Sequence, residues 1–288
     1  MQNPELEQAN TPDASHAAIF YISLILVLIF GVGFLGILLV DLGIPHEGQL
    51  FTAIGGAAQA LLIIGLVVFM IRTKKFDARK TLRLVSCSPT FIFWGAVGIV
   101  PLGMLVSQLA QVLVHFVPEL MSENLVKLVE SSAFAGDLPV YLFYSAVISV
   151  GAGISEELAF RGYILRGVQS AVRPWGAITI SALVFALFHI EPLHILMVFP
   201  AGLYLGYLAI STGSIYPAII AHAFNNLWSL IEVSFWQTTQ PALTSEEILF
   251  SLEYPTEVLV AAAAILILAL YKLNQHAPLK TGDKDKSS

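Results

Sequence analysis

The sequence predicts an all-α fold: a polytopic membrane helix bundle of about eight transmembrane helices. Three observations carry that expectation. Of 288 residues, 57% are hydrophobic and only 12% are charged, against about 25% charged in an ordinary soluble domain. Mean hydropathy is +0.79. Apolar runs of ~20 residues recur along the chain, the length a helix needs to cross the hydrocarbon core. Helix rather than strand follows from lipid, where backbone amides cannot stay unpaired and these runs are too long and uniform for barrel strands.

Taken in order, the spans fall near residues 17–40, 51–71, 91–114, 138–160, 175–190, 193–210, 214–236 and 255–271. Residues 1–16 contain no Lys or Arg, so the basic start of a secretory signal is missing and the first run is expected to remain as an anchor. The segment Leu120–Ser131 has apolar pairs at helical spacing and could follow the membrane interface, but a solvated connector is the simpler expectation. The loop 237–255 carries Glu246, Glu247 and Glu253 and reads as a solvated connector as well. The tail after Gln275, ending "KTGDKDKSS", reads as solvated and disordered. Three regions are expected: 1–137 with three spans and an external loop, 138–236 with a four-span core, and 237–288 with the last loop, span and tail.

Charge predicts the orientation. Arg72, Lys74, Lys75, Arg79, Lys80 and Arg83 crowd one loop, Arg161, Arg166 and Arg173 follow the fourth span, and Lys272, Lys280, Lys284 and Lys286 follow the eighth. With eight spans these thirteen of the 14 basic residues share one face, and Lys127 alone falls opposite. The positive-inside rule makes that face cytoplasmic and puts both termini inside. No basic patch or nucleic-acid motif is present, so nucleic acid is not an expected partner. Cys87 is the single cysteine, which excludes an internal disulfide and a cysteine-rich zinc site.

Ionisable groups within spans are expensive and mark function by default. In "SEELAFRGYIL", Glu157 and Arg161 are spaced i, i+4 and can neutralise each other. Glu156, one helical step of ~100° away, is then left without a partner. "FALFH" places Phe185 and His189 on one face at the end of the fifth span, and "HAFNN" places His222 and Asn226 at i, i+4 in the seventh. A turn at Arg173–Pro174 makes spans four and five an antiparallel hairpin, so Glu156 and His189 stand at nearly equal depth at 1.5 Å per residue. A carboxylate facing an imidazole can polarise one water for attack on a carbonyl. His222 and Asn226 are neighbouring donors suited to a tetrahedral oxyanion. The chain has no G-x-S-x-G elbow and no H-E-x-x-H pair.

The three motifs Glu156–Arg161, Phe185–His189 and His222–Asn226 resemble the E-E-x-x-x-R, F-x-x-x-H and H-x-x-x-N motifs of the CPBP family, the CAAX proteases and bacteriocin-processing enzymes. The resemblance covers roughly 138–232, and no motif position departs from the pattern. It implies an intramembrane glutamic endopeptidase in which Glu156 and His189 activate the water and His222 with Asn226 form the oxyanion hole. Glu157 and Arg161 would then lend electrostatic support, and Phe185 would pack beside the site. The implied partners are the lipid bilayer and a membrane-associated peptide or protein substrate, of prenylated or bacteriocin type. A prokaryotic plasma membrane is the expected location.

Two other readings remain open from the residues. Glu156, His189 and His222 could ligate catalytic zinc, although Asn226 would then have no task, and the expectation is a metal-independent enzyme with no cofactor. A transporter or non-catalytic scaffold could use the same groups for proton relay or partner binding. Short loops and the lack of an inverted repeat argue against a transporter.

Overall fold

Polar caps and prolines open most of the helices, so each start coincides with the beginning of an apolar run. The computed structural model describes residues 10–46, 48–240, 244 and 254–276. Helix α1 (Ala14–Asp41) begins at Asp13, whose side chain accepts from the His16 amide, and α2 (Gln49–Lys74) ends on Lys75. Ser88 caps α3 (Pro89–Phe116), Ser122 caps α4 (Glu123–Ser132), and Asp137 caps α5 (Leu138–Val168). Helices α6 (Pro174–Leu187), α7 (Pro192–Thr212) and α8 (Tyr216–Thr239) each carry proline in the first turn, where the missing N–H has no intrahelical partner to lose. Helix α9 is Thr256–His276. Among the described residues every regular element is helical.

Six of these helices, α1, α2, α3, α5, α7 and α9, are long and apolar enough to cross a membrane. The chain is an integral membrane protein and its fold is a polytopic all-α bundle. Two of the eight expected spans differ in kind. Helix α6 has 14 residues, about 21 Å at 1.5 Å per residue, which is short of the ~30 Å hydrocarbon core. Helix α8 has 24 residues, but His222, Asn225, Asn226 and Glu232 dilute its apolar character. Outward-facing side chains fit lipid: Phe30 and Phe34 of α1 are each 70% exposed.

Helix α5 is the centre of the bundle and touches α1, α2, α6, α7 and α8. It runs eight residues past the expected end at 160, so Arg161 is not a loop charge but a fully buried one. It is also not α-helical throughout. The segments Val147–Gly151 and Leu158–Ile164 are π-helical, and the α-helical stretch Ala152–Glu157 lies between them. Neighbours donate to carbonyls of both widened segments: Asn226 Nδ2 to Ile148 O at 2.9 Å, Ser181 Oγ to Phe160 O at 3.0 Å and Arg83 Nε to Arg161 O at 3.3 Å. Such wide turns are frequent at functional sites. Arg83, in the turn before α3, is itself buried, and that burial, with the Arg166 charge beside it, lowers its pKa to about 10.

The expectation of a solvated connector over Leu120–Ser131 is overturned. Helix α4 docks by Leu125 into a cluster with Ala110 and Val114 of α3 and Leu193 of α7. Ser122 and Asn124 at its start donate to the Glu191 carboxylate at 2.5 and 3.2 Å. The acidic residues Glu246, Glu247 and Glu253 and the tail beyond residue 276 lie outside the described residues.

Candidate active site

Helices α5 and α8 approach so closely that even a Cβ between them would be crowded at one point. A Cβ on Gly153 would lie 3.1 Å from the Ala223 amide nitrogen and 3.2 Å from the Ile219 carbonyl oxygen. The next α5 turn therefore faces His222 directly. Both glutamates are buried there. Glu157 Oε1 accepts from Arg161 Nη1 at 2.8 Å and from His222 Nδ1 at 2.8 Å. Glu156 Oε2 stands 3.8 Å from His222 Nε2. The ~100° step that separates the two acids on the helix does not isolate Glu156, because the two nitrogens of one imidazole reach both carboxylates.

Arg161 is anchored on three sides. Besides Glu157 it donates from Nη2 to the Gly202 carbonyl at 3.1 Å, and its guanidinium carbon lies 4.3 Å from the Phe185 ring centroid. A buried cation over an aromatic face contributes about 2 kcal/mol. Gly202 makes this possible, since a Cβ there would sit 3.2 Å from the Ala182 Cα and 3.3 Å from the Phe185 ring. Phe185 is edge-on to His222 at 5.8 Å and to His189 at 5.0 Å between centroids. The aromatic ring thus spaces the two imidazoles and covers the cation.

His189 does not lie within a helix. Helix α6 stops at Leu187, and His189 is in the turn beyond it. The turn is strained, with Ile190 at φ 66°, a left-handed conformation that a β-branched residue rarely adopts. The His189 ring is held by its Nδ1 against the Phe185 carbonyl at 3.0 Å. A carbonyl can only accept, so Nδ1 carries the proton and the neutral ring presents Nε2 as a lone pair.

Glu156, His189, His222 and Asn226 all border one cavity of about 580 Å³. Phe185 lines it as well, whereas Glu157 and Arg161 sit behind the wall. His194 and Glu232 also border this cavity, and the His194 ring packs 4.6 Å from His189. Neither was among the expected site residues, although each shows the same signal, an ionisable group in an apolar stretch. Among the described residues no three His, Cys, Asp or Glu side chains form a group that could hold a metal ion.

This arrangement of two acids, an arginine, two histidines and an asparagine sits on the segment that matches a known family. Residues 138–228 match the family model of type II CAAX prenyl endopeptidase Rce1-like proteins. Over this segment the chain is similar to that family, in line with the motif resemblance. The match spans just under a third of the 288 residues, starts at the first residue of α5 and ends two residues past Asn226. The match supports a membrane-embedded peptide hydrolase of the CAAX endopeptidase type. Glu232 falls beyond the matched CPBP segment. No curated protein and no solved structure matches the chain.

Proposed function

We propose that the protein hydrolyses a peptide bond of a membrane-associated substrate using a water activated by Glu156 and His189. The observation that carries this reading is the shared cavity: Glu156, His189, His222 and Asn226 come from α5, the turn after α6, and α8, and meet on its walls. A water between the Glu156 carboxylate and His189 Nε2 gives up a proton to one of them as its oxygen attacks the carbonyl carbon. The carbonyl oxygen takes the negative charge. As the tetrahedral intermediate collapses, the C–N bond breaks and the captured proton goes to the leaving amine.

His222 and Asn226 receive the oxyanion in this scheme. Because Glu157 Oε1 accepts from His222 Nδ1, Nε2 donates only when the ring is doubly protonated. Glu156 and Glu157 flank that cation with negative charge, and Arg161 balances the second acid. Asn226 uses one amide hydrogen on the Ile148 carbonyl, which orients the other for the substrate. Glu157, Arg161 and Phe185 position the rest.

The test is hydrolysis of a membrane-inserted peptide by purified protein in nanodiscs. Glu156→Ala is expected to abolish cleavage while the protein remains folded, and a chelator is expected to leave wild-type cleavage unchanged. Full cleavage by Glu156→Ala would refute the reading. Loss on chelation with recovery on adding zinc would replace the side-chain mechanism by a metal one.

A further inference from the structure

The catalytic cavity continues into a second space that the hydrolytic scheme does not use. A cavity of about 210 Å³ lies beneath α4, and it shares Ser107, His194, Met197 and Glu232 with the first as common walls. Its far end is mostly apolar, formed by Ala110, Val114, Leu125, Val129 and Leu193 with Gln111 the polar side chain among them. Glu232 therefore stands at the neck between a polar chamber and an apolar one. Its carboxylate has no hydrogen-bond or ion-pair partner among the described residues. Among the described residues no Lys or Arg borders either cavity, and Arg161, the buried cation on α5, is committed to Glu157.

An acid kept unpaired in an apolar surrounding is expensive unless it meets an opposite charge when the site is occupied. We propose that Glu232 is a specificity-determining residue that receives a cationic side chain, Lys or Arg, of the substrate peptide, with a neighbouring apolar side chain entering the cavity beneath α4. The inference rests on the reading of the main cavity as a peptide hydrolase site. Its register follows from the helix. Glu232 lies six residues beyond Asn226 on α8, about 9 Å along the axis, and an extended peptide advances about 3.3 Å per residue. The cationic residue sits about three residues from the scissile bond.

The experiment uses pairs of peptides that differ only by Lys or norleucine at one position, scanned from two to five residues on each side of a fixed central sequence. Binding is measured to the full chain in nanodiscs carrying Glu156→Gln, which binds without turnover, and to the same chain with Glu232→Gln added. At one register the Lys peptide is expected to bind about tenfold tighter, the effect of one well-placed charge pair, and Glu232→Gln is expected to remove that preference. Equal binding of Lys and norleucine peptides at every register overturns the proposal without reference to any variant. A Lys preference that persists in Glu232→Gln overturns it too. Cleavage of the same peptides by wild type separates the two readings: hydrolysis without charge preference leaves the hydrolase standing and removes the cation site, whereas charge-selective binding without any hydrolysis does the reverse.

Discussion

Glu156 and Glu157 are adjacent in sequence and both buried, yet their isosteric replacements are predicted to fail in different ways. Glu157 is fully buried and its Oε1 accepts two bonds of 2.8 Å, one from Arg161 and one from His222. Hydrogen bonds to charged groups contribute about 1.5–3 kcal/mol each, and breaking a buried ion pair costs about 3–5 kcal/mol because a charge is left uncompensated. Glu157→Gln keeps the shape and an oxygen toward both donors, but it removes the negative charge that compensates Arg161 and leaves a buried amide where Oε2 has no partner, so most of that cost is expected. For a protein of this size it corresponds to a fall in Tm on the order of 10 °C. Glu156 has its counter-charge at 3.8 Å, beyond hydrogen-bond reach, and replacing it also removes the cost of burying a carboxylate. Glu156→Gln is therefore expected to stay within about 1 kcal/mol of wild type while losing peptide hydrolysis. Scanning fluorimetry in nanodiscs, read beside cleavage, measures both. A Glu157→Gln protein as stable as wild type, or a Glu156→Gln protein destabilised as strongly as Glu157→Gln, would refute the division between a structural acid and a reactive one.

Three further perturbations have definite expected outcomes. Gly153→Val drives a side chain into backbone atoms 3.1–3.2 Å away on α8, so it should cost about 1–3 kcal/mol and lower hydrolysis by moving both acids off His222. Ile190→Gly relieves a left-handed β-branched residue that is 82% exposed, and stability should rise by about 1 kcal/mol as His189 loses its fixed turn, visible as a smaller kcat at higher Tm. Asp13 accepts from the His16 amide, with the Ser15 hydroxyl and the His16 ring adding to it, and these bonds hold its carboxyl well below the usual range. Its capping of α1 is therefore present above the ordinary carboxylate pKa and lost as pH falls through the lowered native value. Asp13→Ala should cost about 1 kcal/mol at neutral pH, a difference that persists at pH 5 and disappears only in strong acid, as thermal melts across pH will report.

The start of α6 was legible because Pro174 disfavours helix at Arg173 before it and precedes an apolar run. The polar groups of the site were legible for a related reason, since Glu156, His189, His222 and Asn226 interrupt stretches that otherwise suit lipid. What was not legible depends on neighbours far away in sequence. The π-helical turns of α5 contain no proline, and side chains from α6, α8 and the Arg83 turn bond to their carbonyls. The reach of His222 to both acids depends on the close approach at Gly153, which periodicity on α5 alone does not encode. The short α6 was read as a full span because "FALFHI" stays apolar past the helix end, where Ile190 turns left-handed. Docking of α4 was hidden because Leu125 and Val129 match a surface helix as well as a buried one until Leu193 is placed against them.

The central claim is that a carboxylate and an imidazole act on one water as a unit, and a double-variant cycle on kcat/KM tests it most directly. Glu156→Gln and His189→Ala are each expected to lower kcat/KM for a membrane peptide by about 10³-fold or more, and the combined protein to be no worse than the poorer single variant. Losses that multiply in the double variant, or near wild-type hydrolysis by either single variant, would contradict it.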